Sequence, residues 1–139
     1  MAADPIARVR RICLKFPEAT EVEAWGSPTF RVRNKLFAMY VSANASHGAG
    51  RPSLWCKAKP LDQDLLIHSL PERIFKPPYV GPSGWVGVWL DKKPDWEMVK
   101  DIVSEAYALA APKRLLTSAK AGGASAPSRA RSAGARRRG

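Results

Sequence analysis

The chain has 139 residues and a mass of 15.2 kDa, the size of one domain. Its 45% hydrophobic and 25% charged residues exclude a collagen-like, coiled-coil or wholly disordered chain. Its 23 Lys and Arg against 12 Asp and Glu leave a formal +11, which favours an anionic partner: nucleic acid, a membrane surface or an acidic protein.

Asp4 followed by Pro5 reads as an N-cap and first helical residue, and Ile6, Val9, Cys13 and Phe16 then recur at helical spacing up to Pro17. The acid-rich residues 18–23 predict a loop, and Trp25-Gly26-Ser27-Pro28 a turn. From Thr29 the period becomes two. One strand runs to Arg33, Asn34-Lys35 makes a tight turn, and a second strand covers Leu36 to Ala43. A Gly- and Ser-containing loop at 44–52 leads to a third strand, Ser53 to Lys59, and these three strands are expected to be antiparallel neighbours.

Pro60 opens a short helix containing Leu61, Leu65 and Leu66. Pro77, Pro78 and Pro82 restrict any strand between Phe75 and Gly84 to a short one at an edge. Trp85 to Leu90 is the final strand, and Asp91 to Asp95 turn into a last helix. Its Val99, Ile102, Val103, Ala106 and Leu109 or Ala110 form one apolar face ending at Pro112. Helix, three strands, helix, one or two strands, helix predicts a two-layer α+β sandwich on a mostly antiparallel sheet, occupying residues 1–116. Residues 117–139 contain no aromatic or large aliphatic side chain and are expected to form a disordered basic tail. All acids precede residue 106; 15 cations against 12 acids give +3 for residues 1–112, and the eight cations that follow supply the other +8.

Cys13 and Cys56 lie among apolar residues and read as buried free thiols, since two cysteines make no disulfide framework and no nearby Cys or His completes a zinc set. The first twenty residues hold no apolar stretch of signal-peptide length. The longest apolar run, Leu36 to Val41, is far too short for a bilayer. A soluble cytoplasmic protein is expected.

Alternation separates the two sheet faces. One holds Phe30, Val32, Phe37, Met39, Val41, Leu54, Cys56, Ala58, Val86, Val88 and Leu90, an apolar set suited to lie under the helices. The other holds Arg31, Arg33, Tyr40, Trp55, Lys57, Lys59, Trp85 and Trp89. Aromatic faces stack on bases while Lys and Arg meet phosphates, which makes this second face a candidate DNA surface. Arg31, Arg33, Lys35, Arg51, Lys57 and Lys59 are the candidates for phosphate and Trp55 and Trp89 for stacking. Arg136, Arg137 and Arg138 of the tail would add nonspecific affinity. Other readings stay open. The face equally suits closure of a homodimer, cover by the third helix, or internal sheet packing through cross-strand Trp–cation pairs. A third reading is a small-molecule pocket bounded by Tyr79, Trp85 and the first helix.

Gly48 and Gly50 do not make a phosphate-binding loop, because no Gly-Lys-Ser/Thr follows; the loop suits a flexible connection or a wing against DNA. His47 and His68 are solitary, and Asp91 reads as a capping or turn residue. With no Ser/His/Asp or Cys/His set at recognisable spacing, nothing in the sequence argues for an enzyme, a metal or a cofactor.

Several separated segments, in order, resemble the YjbR/MmcQ-like family of small bacterial domains. They are Arg11-Ile12-Cys13-Leu14, Pro17-Glu18-Ala19-Thr20-Glu21, Trp25-Gly26, Phe30-Arg31-Val32 and Lys35-Leu36-Phe37-Ala38, then Lys57 before Pro60, Pro78-Tyr79, Trp85-Val86, and Tyr107 followed by Leu109 and Lys113. The resemblance implies a secretion-chaperone-like α+β fold. It also implies a DNA-binding label that rests on hairpins similar to a double wing. Ala106 stands where relatives often carry Ser, and the long basic tail is a further departure.

Overall fold

The computed structural model describes residues 5–45 and 50–116. Its elements in chain order are α1 (Ile6–Cys13), β1 (Ala19–Ala24), β2 (Ser27–Val32), β3 (Lys35–Val41), β4 (Ser53–Cys56), α2 (Pro60–Ser69), β5 (Ile74–Phe75), a 3-10 turn (Gly81–Ser83), β6 (Val86–Trp89) and α3 (Trp96–Ala110). The strands make one antiparallel sheet in the order β1-β2-β3-β4-β6-β5. This is the expected α+β sandwich, with β5 as the short edge strand that the prolines require. Asp4, His47, Gly48 and the tail at 117–139 lie outside the described residues.

The loop expected at 18–23 is instead the edge strand β1, paired with β2 from Ala19↔Val32 to Ala24↔Ser27. Its acids alternate rather than cluster. Glu21 points to the helix side, where Arg10 of α1 donates to its carboxylate at 2.9 and 3.2 Å through Nε and at 2.9 Å through Nη2. Charge on an exposed edge also discourages pairing with another chain. The first turn is correspondingly shorter than expected: Trp25 and Gly26 alone make it, at φ +54° and +75°, with Ser27 and Pro28 already in β2. The second turn is Arg33-Asn34, at φ +52° and +66°, not Asn34-Lys35.

A bulge changes the face assignment. Phe30 pairs with Ala38 but Arg31 with Leu36, leaving Phe37 as the extra residue in β3. Phe37 and Ala38 thus both face the helices, and each later residue of β3 is turned over relative to strict alternation. Tyr40 joins the core beneath the helices, while Met39 and Val41 move to the opposite face beside Trp55 and Trp85. The other expected core positions on β2, β4 and β6 are buried where alternation puts them.

The helix-side core is closed by α1 through Val9, Ile12 and Cys13, and by α3 through Val99, Ile102, Val103, Ala106 and Ala110. Asp95 caps α3 by accepting from the Met98 amide at 3.2 Å. α1 ends at Cys13, short of Pro17, yet Phe16 still packs inward: its ring stacks on Tyr107 at 4.6 Å, and Tyr107 meets Phe37 edge-on at 5.5 Å. The Tyr107 hydroxyl donates to the Pro17 carbonyl at 2.7 Å, tying α3 to the connection between α1 and β1. Tyr107→Phe keeps the rings and strands that carbonyl, so a loss of about 1 kcal/mol is expected in urea unfolding, with unchanged m.

Leu61 and Leu65 of α2 are exposed at 69% and 58%, and the helix is held by Leu66 and Ile67 packed against the core and by buried Gln63. Cys13 and Cys56 are free and buried, and burial pushes both thiols well above the ordinary range; nearby Glu21 adds to the effect on Cys13. Among the described residues no helix is long and apolar enough to cross a membrane.

Candidate functional site

One row of the face turned away from α1 and α3 crosses all six strands: Val22, Thr29, Met39, Trp55, Gly87 and Phe75. Thr29 is fully buried there, its hydroxyl donating to the Val22 carbonyl and accepting from Arg31 Nε at 3.1 Å. Trp55 donates through Nε1 to Ser53 Oγ at 3.2 Å. Gly87 lets Phe75 lie flat on the sheet. A Cβ there would sit 2.2 Å from the Phe75 ring, and Phe75 in turn stacks on Trp89 at 4.0 Å.

The face is therefore not bare. Trp55 and Trp85 are buried, at 2% and 6% exposure, beneath a second apolar cluster with Met39 and Val41 that includes Phe75 and Val80. Trp55 consequently offers no free ring for stacking. Trp89 is half-buried and already engaged, with Phe75 on it and the Arg51 guanidinium 4.0 Å from its ring centroid.

Beside these rings lies a hollow of about 500 Å³, lined by Trp25, Leu36, Met39, Trp55, Tyr79, Val80 and Trp85. Buried Met39, Trp55 and Trp85 line its depth, whereas Trp25 and Tyr79 are 69% and 82% exposed at its mouth. Trp25 is placed by the β1–β2 turn, and Tyr79 by the proline-rich connection after β5. Gln63 fixes that connection. Its buried amide donates to the Gly81 carbonyl at 2.8 Å and to the Trp85 carbonyl at 2.6 Å. Tyr79 and Trp85 do line a pocket, but α1 lies on the other side of the sheet and is no part of it.

The β1 carboxylates keep to the helix side, whereas cations stand on both faces. Arg31 stands on the open face as the cross-strand partner of Leu36, and the Lys57 ammonium lies 6.0 Å from the Trp85 ring centroid. Glu21 and Glu23 of β1 are on the helix-side phase of the strand, so the regular open-face positions of β1 to β4 carry no carboxylate. The remaining candidates are scattered. Lys35 pairs with Val32 on the helix-side phase, and Lys59 is exposed at the start of α2. Arg33 is held by Glu18 through a fork of two hydrogen bonds, and the pairing lowers the Glu18 carboxyl below its usual range. Arg51 is held by Asp91 at 2.7 and 3.0 Å, which likewise lowers Asp91 and makes it an ion-pair partner rather than a cap. Arg136, Arg137 and Arg138 lie outside the described residues.

Of the expected set, then, Trp55 lines the hollow, Arg31 and Lys57 neighbour its lining residues Leu36 and Trp85, and Arg51 and Trp89 meet at the β6 end. Sequence reasoning missed Trp25, Leu36 and Val80 and put Met39 on the other face; the clue it held concerns Trp25. The available signal was an aromatic residue at a turn position before glycine, where Asn or Asp is the usual choice. His68 is exposed, its Nδ1 3.1 Å from the Asp64 carbonyl, and no three His, Cys, Asp or Glu side chains among the described residues are grouped to hold a metal ion.

These features define a two-layer α+β domain whose six-stranded antiparallel sheet carries an aromatic hollow on the face away from its long helices. The chain belongs to the YjbR family, whose model matches residues 14–109. Its fold is shared with a Deinococcus radiodurans protein carrying a domain of unknown function, DUF419, at a TM-score of 0.65 and 18% identity over 84% of this chain and 86% of that one. A Pseudomonas syringae protein solved in structural genomics is similar at a TM-score of 0.60 and 15% identity, over 76% of this chain and 97% of its own. No curated protein matches the chain.

Proposed function

We propose that the chain is a non-enzymatic, cytoplasmic nucleic-acid-binding protein that presents the open face of its sheet to the phosphate backbone. The observation that carries this reading is that the open-face positions of β1 to β4 offer cations and no carboxylate. Arg31, paired across strands with Leu36, and Lys57, beside buried Trp85, stand on a face whose regular β1–β4 positions hold no carboxylate, while Glu21 is turned to the helices. A surface of that kind attracts a polyanion, and the cations after residue 112 extend the same preference without adding sequence selectivity. Two reduced, buried cysteines accord with a cytoplasmic setting.

The test is an anisotropy titration of fluorescein-labelled DNA with the full chain and with the Arg31→Gln/Lys57→Gln double variant, at two salt concentrations. If both cations meet phosphates, the variant binds more weakly at low salt. Its log–log salt slope is then shallower by about 1.4 on single strands, at about 0.7 per phosphate neutralised. Equal affinity and equal slope for the two proteins would remove the sheet face from the reading.

A further inference from the structure

The hollow between Trp25 and Tyr79 is not needed to meet phosphates, and its shape argues for more than electrostatic contact. At about 500 Å³ it lies within the roughly 300–1,000 Å³ range of small-ligand sites and is lined almost wholly by apolar and aromatic side chains. Its mouth is made by two large rings that the monomer leaves in solvent, 69% and 82% exposed. Both belong to residues with left-handed backbone, at φ +54° and +67°. For a bulky aromatic residue that conformation costs energy, on the order of 1–2 kcal/mol, and such outliers persist where a site uses them. An Asn at position 25 would suit the turn better, so the indole is not there for the hairpin's sake.

We infer that this hollow receives one unpaired base, with its ring against Trp25 and Tyr79 and its phosphate toward Lys57 and Arg31. The inference rests on the nucleic-acid reading above and makes it specific: the ligand is a single strand. In a duplex each base is stacked between neighbours and only its edges are open, so an aromatic recess below a rim can take only a base that has left the stack. Charge complementarity selects the occupant. The open-face strand positions next to Leu36 and Trp85 offer cations, which match a nucleotide's phosphate and not an uncharged aromatic compound or the Arg- and Lys-rich end of a second copy of this chain. Stacking tolerates any base, so little sequence preference follows.

The test compares the full chain with a Trp25→Asn/Tyr79→Asn variant, which keeps residues that tolerate positive φ and removes both rings. Anisotropy is measured with a labelled 12-nucleotide single strand and with its duplex, alongside thermal melting and light scattering. The expected result is about tenfold weaker binding of the single strand, duplex affinity within twofold, and a melting temperature unchanged or raised. Equal weakening on both DNA forms, or none on either, overturns the base-in-hollow inference. The charge reading then stands or falls separately on the Arg31/Lys57 variant. A wild-type dimer that becomes monomeric in the double-Asn variant, with single-strand affinity unchanged, also overturns it and assigns the hollow to a second copy. Absence of binding to either DNA form by the wild-type chain overturns both readings together.

Discussion

Trp55→Ala is expected to lower the unfolding free energy by about 3–5 kcal/mol, the usual range for deleting a buried aromatic side chain. Trp55 is only 2% exposed and sits in an interior strand, registered with Met39 on one side and Gly87 on the other. Gly87 has no side chain with which to fill the space, and Met39 and Trp85 already face the neighbouring hollow, so the vacated volume joins an existing one instead of collapsing. The indole's hydrogen bond to Ser53 is lost as well. Against the roughly 5–15 kcal/mol of a typical domain such a loss is severe. Urea unfolding followed by far-UV circular dichroism measures it; a change under about 1 kcal/mol would show that the ring is not part of the core. It follows that weaker DNA binding by Trp55→Ala would report a damaged fold, whereas exposed Trp25 and Tyr79 are the rings whose removal tests contact.

How far the sequence carried this result depends on whether a pattern has a phase. In α3 polar residues separate Val99, Ile102, Val103 and Ala106, so the buried face is unambiguous. In β3 the run from Leu36 to Val41 is apolar throughout, and no alternation marks where Phe37 inserts its extra step; only pairing with Arg31 and Phe30 reveals that Met39 and Tyr40 exchange faces. β1 failed for the opposite reason. Glu21 and Glu23 read as loop residues because Arg10, the partner that accounts for one of them, belongs to another element. Alternation puts Trp55, Trp85 and Trp89 on the open face, as found, but the third helix, one expected cover, packs on the other side, and Phe75 and Val80 cover the face instead. That cover depends on Phe75 lying where Gly87 has no Cβ, and on Gln63 gripping the Gly81 and Trp85 carbonyls. Both are long-range contacts that local periodicity does not encode.

Deleting residues 117–139 is expected to have the largest effect on DNA affinity of any change considered, and to have little effect on melting. The segment carries six cations, Lys120, Arg129, Arg131, Arg136, Arg137 and Arg138, and no acid, whereas residues 1–112 carry a net +3. Each cation that neutralises a phosphate releases a counterion and contributes about 0.7 to the salt slope on single strands. If all six engage, the slope falls by about 4, and between 50 and 200 mM salt the full chain loses several hundredfold more affinity than the truncated one. Stability is a separate matter. Leu115, the last buried apolar residue of the body, and Leu116, half-buried beside it, are retained, and the deleted segment contains no residue large and apolar enough to extend that core. Anisotropy titrations of both lengths across a salt series, with thermal melts beside them, read the two quantities independently. An unchanged slope would mean that the terminal arginines do not meet DNA, and the sheet face alone would have to supply whatever affinity remains.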